Sequence, residues 1–146
     1  LPRVVSVGRL DLTSEGLLLL TNDGGLARHL ELPANGWRRR YRVRAFGHPD
    51  PAALERLKKG ITVEGVKYGA IEAEIEQLQG ANCWLVMTLR EGKNREIRKV
   101  LEALGLKVNR LIRLSYGPFQ LGRLPEGAAE EVTGKVMREQ IPGYFR

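Results

Sequence analysis

Apolar residues fall along this chain in two rhythms, one suited to strands and one to helices. Residues 16–21 are a continuous apolar run closed by Asn22-Asp23-Gly24-Gly25, which predicts a buried strand followed by a turn. Leu26 and Leu30, four apart, predict a short helix over 26–32 that Pro33 ends. From Tyr41 to Phe46 large residues alternate with polar ones, the pattern of a half-buried strand. Asp50-Pro51 reads as a helix cap followed by proline at the first helical position, with Leu54 and Leu57 as the apolar stripe and Gly60 as the stop. Residues 61–64 and 70–78 predict strands, the second with Ile71, Ala73, Ile75 and Gln77 on one face and Glu72, Glu74 and Glu76 on the other. Residues 84–89 predict a further strand, cut off by Arg90-Glu91-Gly92. The clearest helix is 94–104, where Ile97, Val100, Leu101 and Leu104 form one stripe and Gly105 follows. A long strand over 107–116 ends at Gly117-Pro118. From Tyr41 the order is β-α-β-β-β-α-β, which predicts an α+β domain of long antiparallel strands with helices on one face. The two strand–helix–strand units, 41–64 and 84–116, read as weakly related halves, although their sequences show no repeat.

The chain has 146 residues, enough for one domain with a core that needs neither disulfide nor metal. Its longest apolar run, 17–20, is far short of the roughly 20 residues a membrane helix needs. A lone cysteine, Cys83, excludes an internal disulfide and points to a reducing, cytoplasmic setting. His29 and His48 have no cysteine cluster near them, so no metal site is expected. The chain opens at Leu1 without a charged segment and long apolar stretch, so no secretory leader is read there. It is expected to be part of a longer protein.

Charge sharpens this picture. The net +7 suggests a polyanionic partner, and it is unevenly placed: +4 in residues 1–44, −2 in 45–92 and +5 in 93–146. Arg38, Arg39, Arg40, Arg42 and Arg44 form one dense block, and Lys93, Arg95, Arg98 and Lys99 another. Such blocks predict two basic walls that meet on a phosphate backbone.

Three places hold polar residues that folding alone explains poorly. In Gly8-Arg9-Leu10-Asp11-Leu12-Thr13-Ser14-Glu15-Gly16 an arginine and a carboxylate flank a leucine just ahead of the apolar run; the plain alternative is that Asp11 caps a short turn. Tyr41 follows three arginines, as a ring that stacks on a base between phosphate-binding cations would, or as an ordinary cross-strand aromatic would. In Glu91-Gly92-Lys93-Asn94-Arg95-Glu96-Ile97-Arg98-Lys99, helical spacing puts Asn94 and Arg98 one turn apart at the border of the apolar stripe, with Arg95 and Lys99 toward solvent. Arg98 is there able to reach a recessed carboxylate. There is no phosphate-binding Gly-rich loop, no calcium loop, and no serine in a catalytic context with a histidine. What remains is an Asp, a Tyr and an Arg beside cations, and a carboxylate can serve as a covalent nucleophile without a cofactor.

These residues resemble a known family. Gly8-Arg9-Leu10-Asp11, then Thr13, then 16–24, is similar to the signature of the bacterial ribosomal RNA pseudouridine synthases that modify single uridines in small- or large-subunit RNA. Residues 91–98 resemble the second block of that family, and Arg110-Leu111-Ile112-Arg113 with Gly117-Pro118 the segment after it. The resemblance implies a mixed, mainly antiparallel central sheet with flanking helices and a cleft across its middle. By that resemblance Asp11 is the nucleophile, Tyr41 packs on the target base, and Arg98 pairs with Asp11. Arg9, Arg39, Arg40, Lys93, Asn94 and Arg95 would bind substrate RNA. No cofactor or metal is implied. The expected reaction isomerises uridine in ribosomal RNA, with the large subunit favoured, in a monomer that needs no membrane. Attack on the sugar and attack on the ring both fit.

The sequence departs from the family in places. A lysine commonly stands two residues before the family's tyrosine, where this chain has Arg39, a cation of different geometry. The tail 124–132 keeps only Pro125-Glu126-Gly127 of the usual closing motif. A lysine–proline loop and a small RNA-binding domain usually precede the aspartate block, so residues 1–146 are expected to be a catalytic domain truncated at its N-terminus. The competing reading is a non-catalytic RNA-binding or ribosome-assembly module of the same fold. The presence of Asp11, which pure binding does not require, favours the enzyme.

Overall fold

The structure, a computed structural model, describes residues 4–8, 10, 14–32, 35–93, 95–132, 134–141 and 144. Its centre is β4 (Arg39–Phe46), which pairs antiparallel with β8 (Asn82–Leu89) on one side and β9 (Lys107–Tyr116) on the other. Both neighbours run opposite to β4, so they are parallel to each other and need a crossover. Helix α3 (Glu96–Ala103) supplies it. The edge strand β7 (Ile71–Gln79) lies beyond β8, and β10 (Phe119–Gln120) beside β9. Strand β2 (Glu15–Gly16) joins β9 in parallel, Glu15 opposite Ile112 and Gly16 opposite Arg113. The sheet is thus mixed and mainly antiparallel, as expected, and the fold is α+β.

One face of this sheet is covered. Val43 and Ala45 of β4, Leu85 and Met87 of β8, and Leu111 of β9 pack with Leu54 of α2 (Pro51–Arg56), Leu57 of the 3-10 turn after it, and Ile97, Val100 and Leu101 of α3. Asp50 caps α2 by accepting the Ala52 N–H at 3.0 Å. A second cluster joins β1 (Val5–Val7), Leu17, α1 (Gly24–Glu31), Tyr116 at the end of β9, and Ile141 after α4 (Gly134–Gln140).

Several expected elements differ. The apolar run at 16–21 is no single buried strand. The chain turns after β2, and β3 (Leu19–Thr21) pairs with β1 in a two-stranded sheet covered on one face, so Leu17 is buried while Leu18 and Leu20 are exposed. Asp23, read as part of a turn, caps α1 by accepting the Gly25 and Leu26 N–H groups. Strand β5 (Ile61–Val63) leaves the main sheet and pairs with β6 (Val66–Tyr68), an element absent from the expected order, through a turn with Glu64 and Gly65 at positive φ. The two strand–helix–strand units are therefore not equivalent. In β7 a bulge after Ile75 reverses the alternation: Ile75 opposes Leu85 on the covered face, whereas Gln77 opposes Trp84 on the open one.

Gly16 is where β2 meets β9 most closely. Its φ is +106°, and a Cβ there would lie 2.2 Å from the Arg113 carbonyl oxygen. Gly16→Ala combines a disfavoured backbone with a clash against main chain, and is expected to cost about 3 kcal/mol. Gly24→Ala, whose added Cβ meets nothing within 4 Å, serves as the control and should be neutral or slightly stabilising. Urea unfolding of the two variants checks both values.

Candidate active site

Strand alternation decides what β4 offers to each side. Tyr41 shares the covered face with Val43 and Ala45 and is half-buried against the core. Arg40, Arg42 and Arg44 face the other way. Arg42 and Arg44 lie over the ring of Trp84, at 4.1 and 5.6 Å from its centroid, and Arg42 bridges Glu76 at 2.7 Å. Arg40 lines a separate groove on that open face with Arg38, Glu72 and Glu74. The arginine block and Tyr41 therefore do not form one stacking platform.

On the covered face, beside Tyr41, lies a cleft of about 700 Å³. Leu89 and Leu111 give it apolar walls from the sheet. Glu91, Gly92 and Lys93 line it from the loop after β8, as do Arg95, Glu96, Ile97 and Arg98 at the head of α3. Gly8, Leu10, Ser14 and Leu18 line it from the N-terminal segment. The fold thus brings Tyr41 and Arg98 to one cleft, together with the residues on either side of 11–13. Asp11 itself, Arg9 and Asn94 lie outside the described residues.

The head of α3 differs from its expected form. The helix begins at Glu96, two residues later than the apolar stripe suggested, and Arg95 precedes it in the left-handed conformation, φ +52°. That backbone is disfavoured for a side chain of this size and belongs to places where the surroundings fix it. Arg98, half-buried, sits in the first turn. Lys93 lies at the rim, but its Nζ donates to the Lys67 carbonyl of β6, stands 3.4 Å from Glu91 Oε2, and lies over the Tyr68 ring.

Arg39 is placed away from solvent. It is 5% exposed and donates to the carbonyls of Trp37 and Arg90 and to the Tyr116 hydroxyl, at 2.8–2.9 Å. Its guanidinium also lies 4.6 Å from the Tyr116 ring centroid. These bonds hold β4 to β9 and to the loop after β8. Arg113, not singled out from the sequence, is 1% exposed and donates from Nε to the Leu17 carbonyl at 2.8 Å. Its phase was legible, since it stands two residues from Leu111 on a strand. Tyr116 donates to the Leu30 carbonyl, and burial pushes its hydroxyl pKa up.

Glu96 was also passed over. It is buried at the cleft wall, and burial, with the charge of Glu91 next, pushes its carboxyl up to about 8. Among the described residues no group of three His, Cys, Asp or Glu side chains comes together to hold a metal ion. No described helix is long and apolar enough to cross a membrane.

Fold and cleft together define an α+β protein in which a phenol, a guanidinium and apolar walls line a cleft beside a mainly antiparallel sheet. Residues 1–103 match the family model of RNA pseudouridylate synthases, and the chain belongs to that family. It is 50% identical over 138 residues to an uncharacterized RNA pseudouridine synthase of Rickettsia bellii, covering 94% of this chain and 60% of that protein. It is 45% identical over 131 residues to ribosomal large subunit pseudouridine synthase B of Pasteurella multocida, covering 89% of this chain and 38% of that protein. A crystal structure of a pseudouridylate synthase superposes with a TM-score of 0.81 at 28% identity, over 94% of this chain and 59% of that one. The likeness to an H/ACA ribonucleoprotein structure, TM-score 0.64 at 18% identity over 82% of this chain and 40% of that one, is one of fold alone. The chain spans about 60% of the length of the Rickettsia relatives it matches.

Proposed function

We propose that this chain carries the catalytic centre of a cofactor-independent synthase that converts a uridine of ribosomal RNA, large subunit favoured, to pseudouridine. The observation that carries the reading is the convergence of Tyr41, Arg98, Leu10 and Ser14 on one apolar-walled cleft. Leu10 and Ser14 bracket the segment that contains Asp11. The Pasteurella relative, described as acting on the large ribosomal subunit, supports the choice of RNA.

In this reading Asp11 is the nucleophile and Arg98 keeps its carboxylate ionised inside the cleft. Tyr41 packs on the uracil and passes a proton. The N1–C1′ bond of uridine breaks, the base turns, and a C5–C1′ bond forms. The C5 proton leaves and N1 gains one, so the reaction is a balanced isomerisation. The target nucleotide first leaves its stack, at a cost of a few kcal/mol. The enzyme works as a monomer in the cytoplasm, on ribosomal RNA.

Loss of the C5 proton supplies the test. Ribosomal RNA transcripts labelled with tritium at uridine C5 should release label to water when incubated with the protein. Release that plateaus at a fixed number of sites per transcript is the expected result. Binding of the RNA without any release would overturn the proposal and favour a binding module.

A further inference from the structure

Glu91 and Glu96 stand in the cleft wall without a part in the chemistry just proposed. Glu96 opens α3 and is 3% exposed. Its Oε1 accepts the Lys93 N–H at 3.1 Å, while Oε2 is buried with no donor directed at it among the described residues. Glu91 lines the same cleft, and its charge adds to burial in raising the Glu96 carboxyl pKa. Glu91 in turn accepts the Gly69 N–H just beyond β6, and Lys93 donates to the Lys67 carbonyl within β6. Glu91 and Lys93 are therefore tied to the β5–β6 hairpin and its exit by one carboxyl and one ammonium, and Glu96 backs them from the head of α3.

Two neighbouring carboxylates, one of them buried, cannot both ionise cheaply. The proton that Glu96 retains up to about pH 8 needs an acceptor, and the Glu91 carboxylate is beside it. The other charged or titratable groups around the pair are Lys93 on the same loop, Tyr68 on β6, Tyr41 on β4, and Arg95 and Arg98 at the head of α3. Lys93 opposes the shift, but burial and Glu91 outweigh it.

We propose that Glu96 is a positioning residue: protonated and shared with Glu91, it holds Glu91, and with it the 91–93 wall of the cleft, against the end of β6, and loss of its proton releases that wall and slows turnover. Arg98 lies in the same first turn of α3, so the latch sets where its guanidinium stands. The turnover part rests on the reading of this cleft as a synthase site; the latch itself does not. The unfolded chain releases this proton near the ordinary value of 4.5, whereas the fold holds it to about 8. Raising the pH between those values therefore weakens the fold, and the loss stops above the upper one.

The test follows the protein and its Glu96→Gln and Glu91→Gln variants by two readouts. In the first, tritium release is measured across the alkaline range. A single proton with its midpoint near pH 8 predicts a fall of about tenfold in kcat from pH 7 to pH 9, with a smaller change in KM. Glu96→Gln, neutral at every pH and able both to accept from Lys93 and to donate to Glu91, should give a flat profile over that range. In the second, the Glu96 carboxyl carbon is titrated by NMR, with amide exchange at Gly69 and Lys93 read beside it. The carbon should titrate near 8 in the native protein and lower in Glu91→Gln, where the like charge is gone but the burial remains. Protection of the Gly69 amide should drop as the native carboxyl ionises, while the Lys93 amide, whose bond the ionised carboxylate accepts more strongly, should keep its own. A carbon that titrates near 4.5, or a Glu96→Gln profile that coincides with the native one, overturns the latch. Titration near 8 with falling protection but no tritium release at any pH supports the latch and overturns the synthase reading instead.

Discussion

Asp11→Asn is expected to lower tritium release by at least about a thousandfold, the scale on which loss of a covalent nucleophile is felt. Its affinity for the RNA should stay within about twofold, because phosphate contacts dominate binding and a single carboxylate adds little to them. Asparagine keeps the size and much of the hydrogen bonding of aspartate, so the loss falls on chemistry. The measurement pairs single-turnover tritium release with filter binding to the same transcript. A variant that turns over normally would remove Asp11 from the mechanism and leave the chemistry to another group of the cleft. A variant that loses both readouts together would show instead that the segment around Asp11 is a binding element.

Arg39→Leu carries the second large effect, on stability. The substitution leaves the Trp37 and Arg90 carbonyls without the donor they share and takes away the cation beside the Tyr116 ring. Part-buried and buried acceptors stripped of a charged donor cost about 1–3 kcal/mol each, so with the Tyr116 hydroxyl included the total should reach about 3–5 kcal/mol. Arg39→Lys keeps the charge and three donors but loses the planar fork, and should cost about 1–2 kcal/mol. Urea denaturation gives both values. An Arg39→Leu protein as stable as the native one would show that Arg39 is dispensable to the fold, and would return it to the set of residues available for RNA.

Where the sequence reading succeeded, side chains repeat with the period of the element that holds them. Strand β9 and helix α2 follow directly, because Lys107–Tyr116 is bounded by glycines and Asp50-Pro51 is a local cap signal. The same rule applied to β4 would have separated Tyr41 from Arg40 and Arg42, since neighbours on a strand face opposite ways. Grouping them by charge density concealed this. The bulge in β7 is different in kind: it is set by how β7 registers against β8, and nothing between Ile75 and Gln77 announces an extra residue. The hairpin of β5 and β6 is built on Glu64 in a left-handed conformation that glutamate does not advertise. Candidate chemistry was legible as a set of residue types. The burial of Arg39 and Arg113 was not, because it depends on partners dozens of residues away.

The parallel pairing of β2 with β9 also dictates when the cleft can exist. Residue 15 waits for residue 112, and residue 41 for residue 113. A ribosome adding about 5–20 residues per second takes about 5–20 seconds to cover the first of these intervals. Throughout that time the segment after Leu10 has no β9 to dock on. The pocket is therefore closed late in biosynthesis, once β9 has emerged and most of this domain is free to fold.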